Sequence, residues 1–347
     1  MRRGPASAPP AGEGSSSCFM RGARAMSAEG GPRLLGDREI EELLELREVC
    51  SYVERAFAEH ARGNVLMPKR MRLSGLNSEG DFLIMPCYVP TFDIFTCKLV
   101  TVFPRNALRG LRSVQGLIAA FDARTGEPRL LASAASLTGL RTGAASAIAS
   151  KYLARHDAAS VGLIGAGFQA RYQLKALWSL LKLERAFVYS RTPLKAQDFS
   201  KGMSRELGAE VLPCLTPEEA VRSADIVVTA TSSSEPVLRR AWLAPGAHIN
   251  AIGSYRPEAR ELDTETVEEA KVVVDALEAA KEEAGDLIIP VREGRFSWEK
   301  VYGELGELVL GRKPGRQHEQ ELTLFKSVGL ALQDAAMMRL LLDKLRL

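Results

Sequence analysis

The feature that most constrains the fold is a glycine-containing turn between a short apolar run and a helical pattern. Residues 161–164 read Val-Gly-Leu-Ile, and residues 165–170 read Gly-Ala-Gly-Phe-Gln-Ala before a helical pattern that extends to residue 183. The first glycine permits a tight turn, the second lets backbone amides approach a pyrophosphate, and the alanine permits close helix–strand packing. A helix N-terminus also favours phosphate. The alternative is the same turn without a ligand. We predict a cofactor contact at Gly165, Ala166, Gly167, Phe168 and Gln169.

The pattern of apolar residues differs between the two halves of the chain. From residue 160 onward, short apolar runs alternate with helical patterns, which is typical of βαβ units and a parallel sheet. Before residue 154 the order differs: a helix that begins with Asp37 as N-cap and continues to residue 60, then a series of strands, then an alanine-rich helix. The strands of the second half are predicted at 186–190, 211–214, 225–231, 248–253 and 271–275; those of the first half are predicted at 81–88, 94–103, 116–122 and 129–135; helices are predicted at 136–153, 194–207, 217–222 and 321–347.

The end of the second strand of the dinucleotide unit indicates which nicotinamide cofactor the chain prefers. NAD-preferring folds usually place an acidic residue there, where it binds the ribose 2′-hydroxyl. This chain has Ser190, Arg191 and Thr192 instead. An absent carboxylate removes repulsion of a 2′-phosphate, and an arginine can pair with that phosphate. We therefore predict that NADPH is preferred and that NADH is also possible; the alternative is that Arg191 is only a solvated surface residue.

The net charge of +3 is located in the first 33 residues, which hold five arginines and two glutamates. The other 314 residues carry 41 charges of each sign, so the body gives no support for a nucleic-acid partner. The leading segment is rich in Gly, Pro, Ser and Ala, and we predict that residues 1–33 are disordered. Translation from Met20 or Met26 is favoured over an organellar transit peptide.

Other features exclude further classes of protein. No apolar run approaches the roughly 18 residues of a membrane span, so no membrane partner is expected. The five cysteines form no CxxC pair, and no histidine has zinc-finger spacing, so we predict free thiols, no metal site and a cytoplasmic location.

Seven ordered blocks of the chain resemble the ornithine cyclodeaminase/mu-crystallin family, from about residue 34 to the C-terminus. Because seven blocks in order are far more specific than one glycine turn, they identify the chain as resembling this family over nearly its whole length. The blocks lie at 96–100 (Thr-Cys-Lys-Leu-Val), 138–144 (Thr-Gly-Leu-Arg-Thr-Gly-Ala), 164–167 (Ile-Gly-Ala-Gly), 250–253 (Asn-Ala-Ile-Gly), 260–263 (Arg-Glu-Leu-Asp), 303–307 (Gly-Glu-Leu-Gly-Glu) and 325–329 (Phe-Lys-Ser-Val-Gly).

The resemblance implies an α/β homodimer with two domains in each subunit. One is a Rossmann-type parallel sheet domain that binds the dinucleotide, and we expect it at 142–320. The other is a discontinuous α+β domain for substrate binding and dimerisation, expected at 34–141 plus 321–347.

The resemblance also implies a small amino-acid or imino-acid substrate and assigns roles to individual residues. Arg141 matches an arginine that clamps the substrate carboxylate, and Lys98 matches a lysine that contacts the reacting group; we expect both to be catalytic. Arg70 matches a second carboxylate-binding arginine, although Lys69 could hold that register. Further cofactor contacts are implied or expected at Ser113, Thr142, Gln169, Thr231 and Ser254.

One departure from the family pattern narrows the expected activity. Cyclodeaminases of the family carry an aspartate after the strand that here ends at Gly253, and Tyr255 stands in its place. A tyrosine has an ordinary pKa near ~10 and is a poor substitute for a carboxylate base. We therefore expect an NAD(P)H-dependent reductase of cyclic ketimines such as Δ1-pyrroline-2-carboxylate. The alternatives are an ornithine cyclodeaminase, an amino-acid dehydrogenase, or a binding protein that resembles the mu-crystallins.

Overall fold

The protein is described here from a computed structural model, which covers Met1 and residues 31–76 and 80–347. The predictions for residues 2–30, including Met20, Met26 and Cys18, concern residues outside that description. The predicted disorder of residues 1–33 is wrong at its end, because Arg33 begins a strand over Arg33–Leu35. None of the helices in the described ranges is long and apolar enough to cross a membrane. The four cysteines that the structure describes are free thiols, at Cys50, Cys87, Cys97 and Cys214.

A six-stranded sheet is built from the N-terminal part of the chain. Its strand order is β1-β6-β5-β4-β3-β2, and all neighbours are antiparallel except β1 and β6. The alternation of apolar and mixed residues in its long strands buries one face and leaves the other half-exposed. The strands are β1 (Arg33–Leu35), β2 (Met71–Leu76), β3 (Gly80–Val89), β4 (Ile94–Val102), β5 (Val114–Asp122) and β6 (Pro128–Ser133).

An eight-stranded parallel sheet is built from the rest of the chain. Its order is β13-β12-β14-β11-β10-β7-β8-β9, so the chain runs outward from β7 in one direction and then in the other. Ligands bind at such a reversal point, at the carboxyl ends of the strands. The Rossmann-type fold class is confirmed. The strands are β7 (Ser160–Ile164), β8 (Arg185–Tyr189), β9 (Glu210–Cys214), β10 (Ile226–Thr229), β11 (His248–Ala251), β12 (Lys271–Val274), β13 (Val301–Glu304) and β14 (Thr323–Lys326).

The helices pack around these two sheets. The largely buried α3 lies at the centre and contacts α2, α4 and strands of both sheets. The helices are α1 (Asp37–Leu43), α2 (Leu46–Ala61), α3 (Ala134–Leu153), α4 (Phe168–Leu180), α5 (Pro193–Leu207), α6 (Pro217–Val221), α7 (Thr264–Glu269), α8 (Leu277–Glu283), α9 (Gly285–Arg292), α10 (Leu305–Val309) and α11 (Ala331–Leu345).

The structure corrects two predictions for the N-terminal helix. The N-cap of α1 is Gly36, and Asp37 is the first helical residue. The Asp37 carboxylate is turned instead toward α3, where it accepts a hydrogen bond from the backbone N–H of Ser136 at 3.0 Å. The predicted single helix to residue 60 is broken between Leu43 and Leu46 into α1 and α2. A tertiary contact thus outweighs the local capping preference of aspartate.

The predicted final helix over 321–347 is wrong in its first part. Strand β14 occupies Thr323–Lys326 and lies between β11 and β12 in the parallel sheet, and only Ala331–Leu345 is helical. The strand escaped prediction because its four residues are all buried, so they show no alternation. The domain bounds as such stay a prediction, but β14 groups with the parallel sheet rather than with the helix.

Candidate active site

The glycine turn has the geometry that the sequence predicted. Gly165 has a φ of +115°, and a Cβ there would lie 2.5 Å from the carbonyl oxygen of Ala230. Gly167 is the N-cap of α4 and faces open space, so nothing blocks the approach of a ligand to the helix N-terminus. Phe168 is 45% exposed, and the Oε1 atom of Gln169 is buried without a partner in the described part of the chain. Ala166 is half-buried between them. These five residues suit a dinucleotide.

The residues predicted to choose between NADPH and NADH lie one strand away. Ser190, Arg191 and Thr192 follow β8, which pairs with β7 directly beside the glycine turn. Arg191 is exposed and makes no ion pair with any carboxylate in residues 31–76 and 80–347. The Thr192 backbone N–H donates to the Ser190 hydroxyl at 3.4 Å. The three residues therefore present a cation and hydroxyl groups at the edge of the turn.

A buried carboxylate, Glu261, ties together the loops on the other side of the glycine turn. It accepts hydrogen bonds from the backbone N–H of Thr231 at 2.7 Å, the Thr231 hydroxyl at 2.8 Å and the N–H of Gly253 at 2.8 Å. Burial, and the nearby Asp286, raise the pKa of Glu261. Ser254 donates its hydroxyl proton to the carbonyl of Ala259 at 2.6 Å. Sequence reasoning placed Thr231 and Ser254 at the cofactor but missed the carboxylate that holds Thr231.

Lys98 and Arg141 meet in the interior around one carboxylate. Lys98 is on β4 and its side chain is buried; its Nζ lies 2.8 Å from Oδ2 of Asp334. Arg141, on α3, has its Nε 3.4 Å from the other oxygen of Asp334 and donates to Oε1 of Gln333 at 2.8 Å. Their side chains are 3%, 7% and 1% exposed for Lys98, Arg141 and Asp334. Two buried cations share one anion, which leaves the cluster with a net positive charge.

Burial dominates the electrostatics of this cluster. It lowers the pKa of the Lys98 ammonium to about 8, against the opposing effect of Asp334. The pKa of the Arg141 guanidinium is lowered for the same reason, although an arginine stays charged. A lysine with a pKa near neutrality is suited to donate a proton.

Arg70 lies close enough to Lys98 and Arg141 for its charge to act on both of them. Its Nη2 donates to the carbonyl of Gly329 at 2.6 Å, and its Nε lies 2.8 Å from the carboxylate of Glu283. Burial raises the pKa of Glu283 to about 7. Lys69, the alternative in the predicted register, is 74% exposed and pairs with Glu282 on the surface. The geometry therefore favours Arg70 for the predicted role.

Two of the remaining predicted residues, Thr142 and Ser113, lie near Arg141 and near the start of α4. Thr142 follows Arg141 on α3, and its hydroxyl donates to the carbonyl of Thr138 at 2.7 Å. Ser113 follows Arg112, whose guanidinium lies 5.6 Å from the ring of Phe168 at the start of α4. The loop that carries Ser113 thus reaches the dinucleotide helix.

Tyr255, in the place of the family aspartate, is half-buried. The guanidinium of Arg256 lies 5.9 Å from its ring, and Arg256 in turn faces Asp81 of β3. The structure thus places an aromatic hydroxyl, and no carboxylate, at that position. Within the described ranges, no group of three His, Cys, Asp or Glu side chains is arranged to hold a metal ion.

Sequence reasoning missed four residues of the cluster: Gln333, Asp334, Glu283 and Gly329. A signal existed for the second of them, because Asp334 stands among apolar residues near the start of α11, and a carboxylate in such a place needs a buried partner. Gly329 has a φ of +79°, and a Cβ there would lie 2.5 Å from Nη1 of Arg141. Its place among the family blocks carried no information about that contact.

The parallel sheet and the glycine turn define a protein of the Rossmann-type dinucleotide-binding class. The model of the ornithine cyclodeaminase/mu-crystallin family matches residues 32–346, and the chain belongs to that family. The resemblance inferred from the seven blocks is confirmed.

Two reductases and one dehydrogenase are similar to this chain over about 90% of its length. The chain is 37% identical over 312 residues to the Δ1-pyrroline-2-carboxylate reductase of Bacillus cereus, covering 90% of this chain and 96% of the relative. The Thermococcus litoralis Δ1-pyrroline-2-carboxylate reductase, solved with NADH and L-proline, is 41% identical, with a TM-score of 0.88 over 90% of this chain and 97% of that one. An archaeal alanine dehydrogenase dimer with bound NAD is 36% identical, with a TM-score of 0.85 over 90% and 95%.

Proposed function

We propose that the protein is an NAD(P)H-dependent reductase of cyclic ketimine acids, such as Δ1-pyrroline-2-carboxylate, which it converts to L-proline. The observation that carries this proposal is the buried pair Lys98 and Arg141 around Asp334. The pair offers hydrogen-bond donors and a net positive charge to the carboxylate of a small substrate. The reductases of Bacillus cereus and Thermococcus litoralis, at 37% and 41% identity, support the same reaction.

Arg141 and Arg70 bind the substrate carboxylate in this proposal. A guanidinium has five N–H donors, and the described contacts of Arg141 leave several of them for a carboxylate. Paired, charge-assisted bonds of this kind hold a carboxylate in one orientation. The planar ring next to the carboxylate is thereby held in one position, which is the main requirement for hydride transfer.

Lys98 supplies the proton. When bound, a nicotinamide cofactor would supply the hydride for the imine carbon, so that the C=N double bond becomes a single bond. The imine nitrogen takes its proton from the Lys98 ammonium, which solvent then restores. The hydride and the proton together are the two hydrogens that the imine gains, and NAD(P)H is oxidised as the imine is reduced. Burial of Lys98, which lowers its pKa to about 8, favours release of that proton at neutral pH.

The cofactor lies along the glycine turn in this proposal, with Gly165, Ala166, Gly167, Phe168 and Gln169 at the pyrophosphate. Support comes from the open N-terminus of α4 and from the dinucleotides in the related structures. Further contacts are assigned to Ser113, Thr142, Thr231 and Ser254.

We infer a preference for NADPH from the residues after β8. Arg191 is exposed with no carboxylate partner in the described chain, and Ser190 leaves the 2′ position free of negative charge. The Thermococcus litoralis structure contains NADH, so this preference concerns the present chain and not the family.

A second copy of this chain is the proposed partner of the outer face of the six-stranded sheet. The inner face packs on α3 and α11, whereas the outer face exposes large apolar side chains and a groove of about 480 Å³ beside Phe95. Exposed apolar area of this kind marks an interface. The archaeal alanine dehydrogenase is a dimer. The exposed residues of the face are Met71, Leu73, Phe95 and Leu117. Cytoplasmic location stays a prediction, supported by the free thiols.

The test is a steady-state screen of purified protein at the nicotinamide absorbance. Δ1-Pyrroline-2-carboxylate and Δ1-piperideine-2-carboxylate are offered with NADPH and with NADH, and pyruvate plus ammonia tests the alanine dehydrogenase alternative. Ammonia release from ornithine tests cyclodeamination, which the tyrosine at position 255 disfavours. Turnover of a cyclic ketimine supports the proposal. A protein that binds NADPH but oxidises it with no imino acid would belong to the binding class instead.

A further inference from the structure

One short stretch of chain, from Gly329 to Asp334, contacts all three cations of the site. The Gly329 carbonyl accepts from Arg70, the Gln333 side chain accepts from Arg141, and the Asp334 carboxylate forms an ion pair with Lys98. The three cations come from different parts of the fold, whereas their partners lie within six consecutive residues. This stretch joins β14 of the parallel sheet to α11 on the six-stranded sheet, so it sets how the cations lie relative to one another.

The beginning of the stretch is anchored by a carboxylate of the parallel sheet. Asp275, at the end of β12, accepts hydrogen bonds at 2.8 Å from the Ser327 hydroxyl and from the backbone N–H groups of Val328 and Gly329. These three bonds hold the turn that delivers Gln333 and Asp334 to the cluster. The position of Asp334 is therefore built into the backbone rather than left to a flexible side chain.

The groups that face Lys98 come from three elements. Asp334 of α11 is the only carboxylate ion-paired with Lys98 within the described residues. The positive charges of Arg141 on α3 and of Arg70 disfavour the charged form of Lys98. On the far sides of the cluster, the Cys87 thiol of β3 faces Asp334, and Glu283 and Asp275 face the two arginines. Without Asp334, the ammonium would be buried against two other cations.

We propose that Asp334 is a positioning residue that keeps Lys98 protonated and aimed at the imine nitrogen of the substrate. The proposal rests on the ketimine reductase function above. Replacing a buried carboxylate by a neutral group removes the one interaction that favours the charged lysine, and an opposite charge at this distance shifts a pKa by about 1–3 units. The proton then leaves Lys98 at a lower pH, and the reactive form is lost.

The first experiment is the pH profile of kcat/KM for the Asp334→Asn variant with Δ1-pyrroline-2-carboxylate. In the wild type, kcat/KM falls as the pH rises through the Lys98 pKa. In the variant, we expect the alkaline midpoint to move down by at least about one pH unit, which from a pKa of about 8 lowers kcat/KM at pH 7.5 by about threefold or more. Ionisation of the substrate is the same for both proteins, so it cannot produce the shift. A folded variant with the wild-type midpoint overturns the proposal.

Two further variants separate the charge from the packing. Asp343→Asn removes a carboxylate from the other end of α11, where it accepts from Tyr52 at 2.7 Å, and should leave the midpoint unchanged. Gln333→Glu adds a negative charge next to the cluster with no change of volume, and both bonds that Gln333 accepts are retained. We expect its midpoint to rise. A fall, or no movement, contradicts the proposal even where Asp334→Asn does not fold.

An NMR titration of 13Cε-labelled lysine makes the result independent of turnover. The Lys98 signal is assigned by its absence in Lys98→Met, and its midpoint is read in the wild type and in the variants. A lower midpoint in Asp334→Asn and a higher one in Gln333→Glu support the positioning role even if the wild type reduces no cyclic ketimine. Unmoved midpoints in a protein that turns over ketimines overturn the positioning role alone.

Discussion

Gly329→Ala should destabilise the protein and also displace Arg141, which we propose binds the substrate carboxylate. Gly329 has a φ of +79°, and a Cβ at this position would lie 2.5 Å from Nη1, 3.0 Å from Nη2 and 3.1 Å from Cζ of Arg141. The guanidinium cannot move away at low cost, because it is buried, donates a hydrogen bond to Gln333 and is ion-paired with Asp334. The methyl group therefore meets a fixed obstacle.

Gly311→Ala is the matched control for this substitution. Gly311 has a φ of +68°, and a Cβ there would meet no atom within 4 Å. Both variants incur the cost of a left-handed alanine, about 1–2 kcal/mol, which a less flexible unfolded chain offsets in part. Only Gly329→Ala adds overpacking, worth about 1–3 kcal/mol. The free energy of unfolding should thus fall by about 1–3 kcal/mol more at position 329 than at position 311.

The assay is urea unfolding of the cofactor-free protein at one protein concentration, followed by tryptophan fluorescence. The KM for the imino acid is measured alongside, and we expect a rise of tenfold or more for Gly329→Ala because displacement of Arg141 misplaces the carboxylate. The control should keep the wild-type KM. Equal losses of stability in the two variants, or an unchanged KM at position 329, would refute the argument that Gly329 makes room for the guanidinium.

Three further predictions concern charge. Arg141→Lys keeps the charge but loses the planar fork, so the KM for the imino acid should rise at least tenfold while the Kd for NADPH, measured by fluorescence, changes less than twofold. Ser190→Asp combined with Arg191→Gln should shift the kcat/KM ratio toward NADH by tenfold or more; an unchanged ratio contradicts the 2′-phosphate argument. The unfolded chain releases the Glu283 proton near pH 4.5, whereas the folded protein keeps it to about pH 7. The wild type should therefore lose about 1–3 kcal/mol of stability from pH 5 to 8 relative to Glu283→Gln in pH-dependent urea unfolding, and parallel curves would count against the buried carboxyl.

Much of the fold was accessible from local pattern. The turn at Gly165 and the alternation after residue 160 predicted the parallel sheet, and the strands β3 to β6 appear within about two residues of their predicted ends. Errors arose where tertiary contacts outweigh local preference. Asp37 turns its carboxylate to α3 instead of capping α1, and β14 is buried along its whole length.

The sequence by itself determined the class of fold and predicted where a dinucleotide would bind, while the resemblance of its blocks to the family pointed to two cations, Lys98 and Arg141. The fold class and the turn follow from neighbours along the chain, whose spacing is imposed by the backbone of a turn, a strand or a helix. Only the tertiary structure decided that Asp334 binds both cations and that Gly329 makes room for one of them. Such contacts join elements far apart in the chain, and they depend on how two sheets and a buried helix pack, which no local spacing encodes.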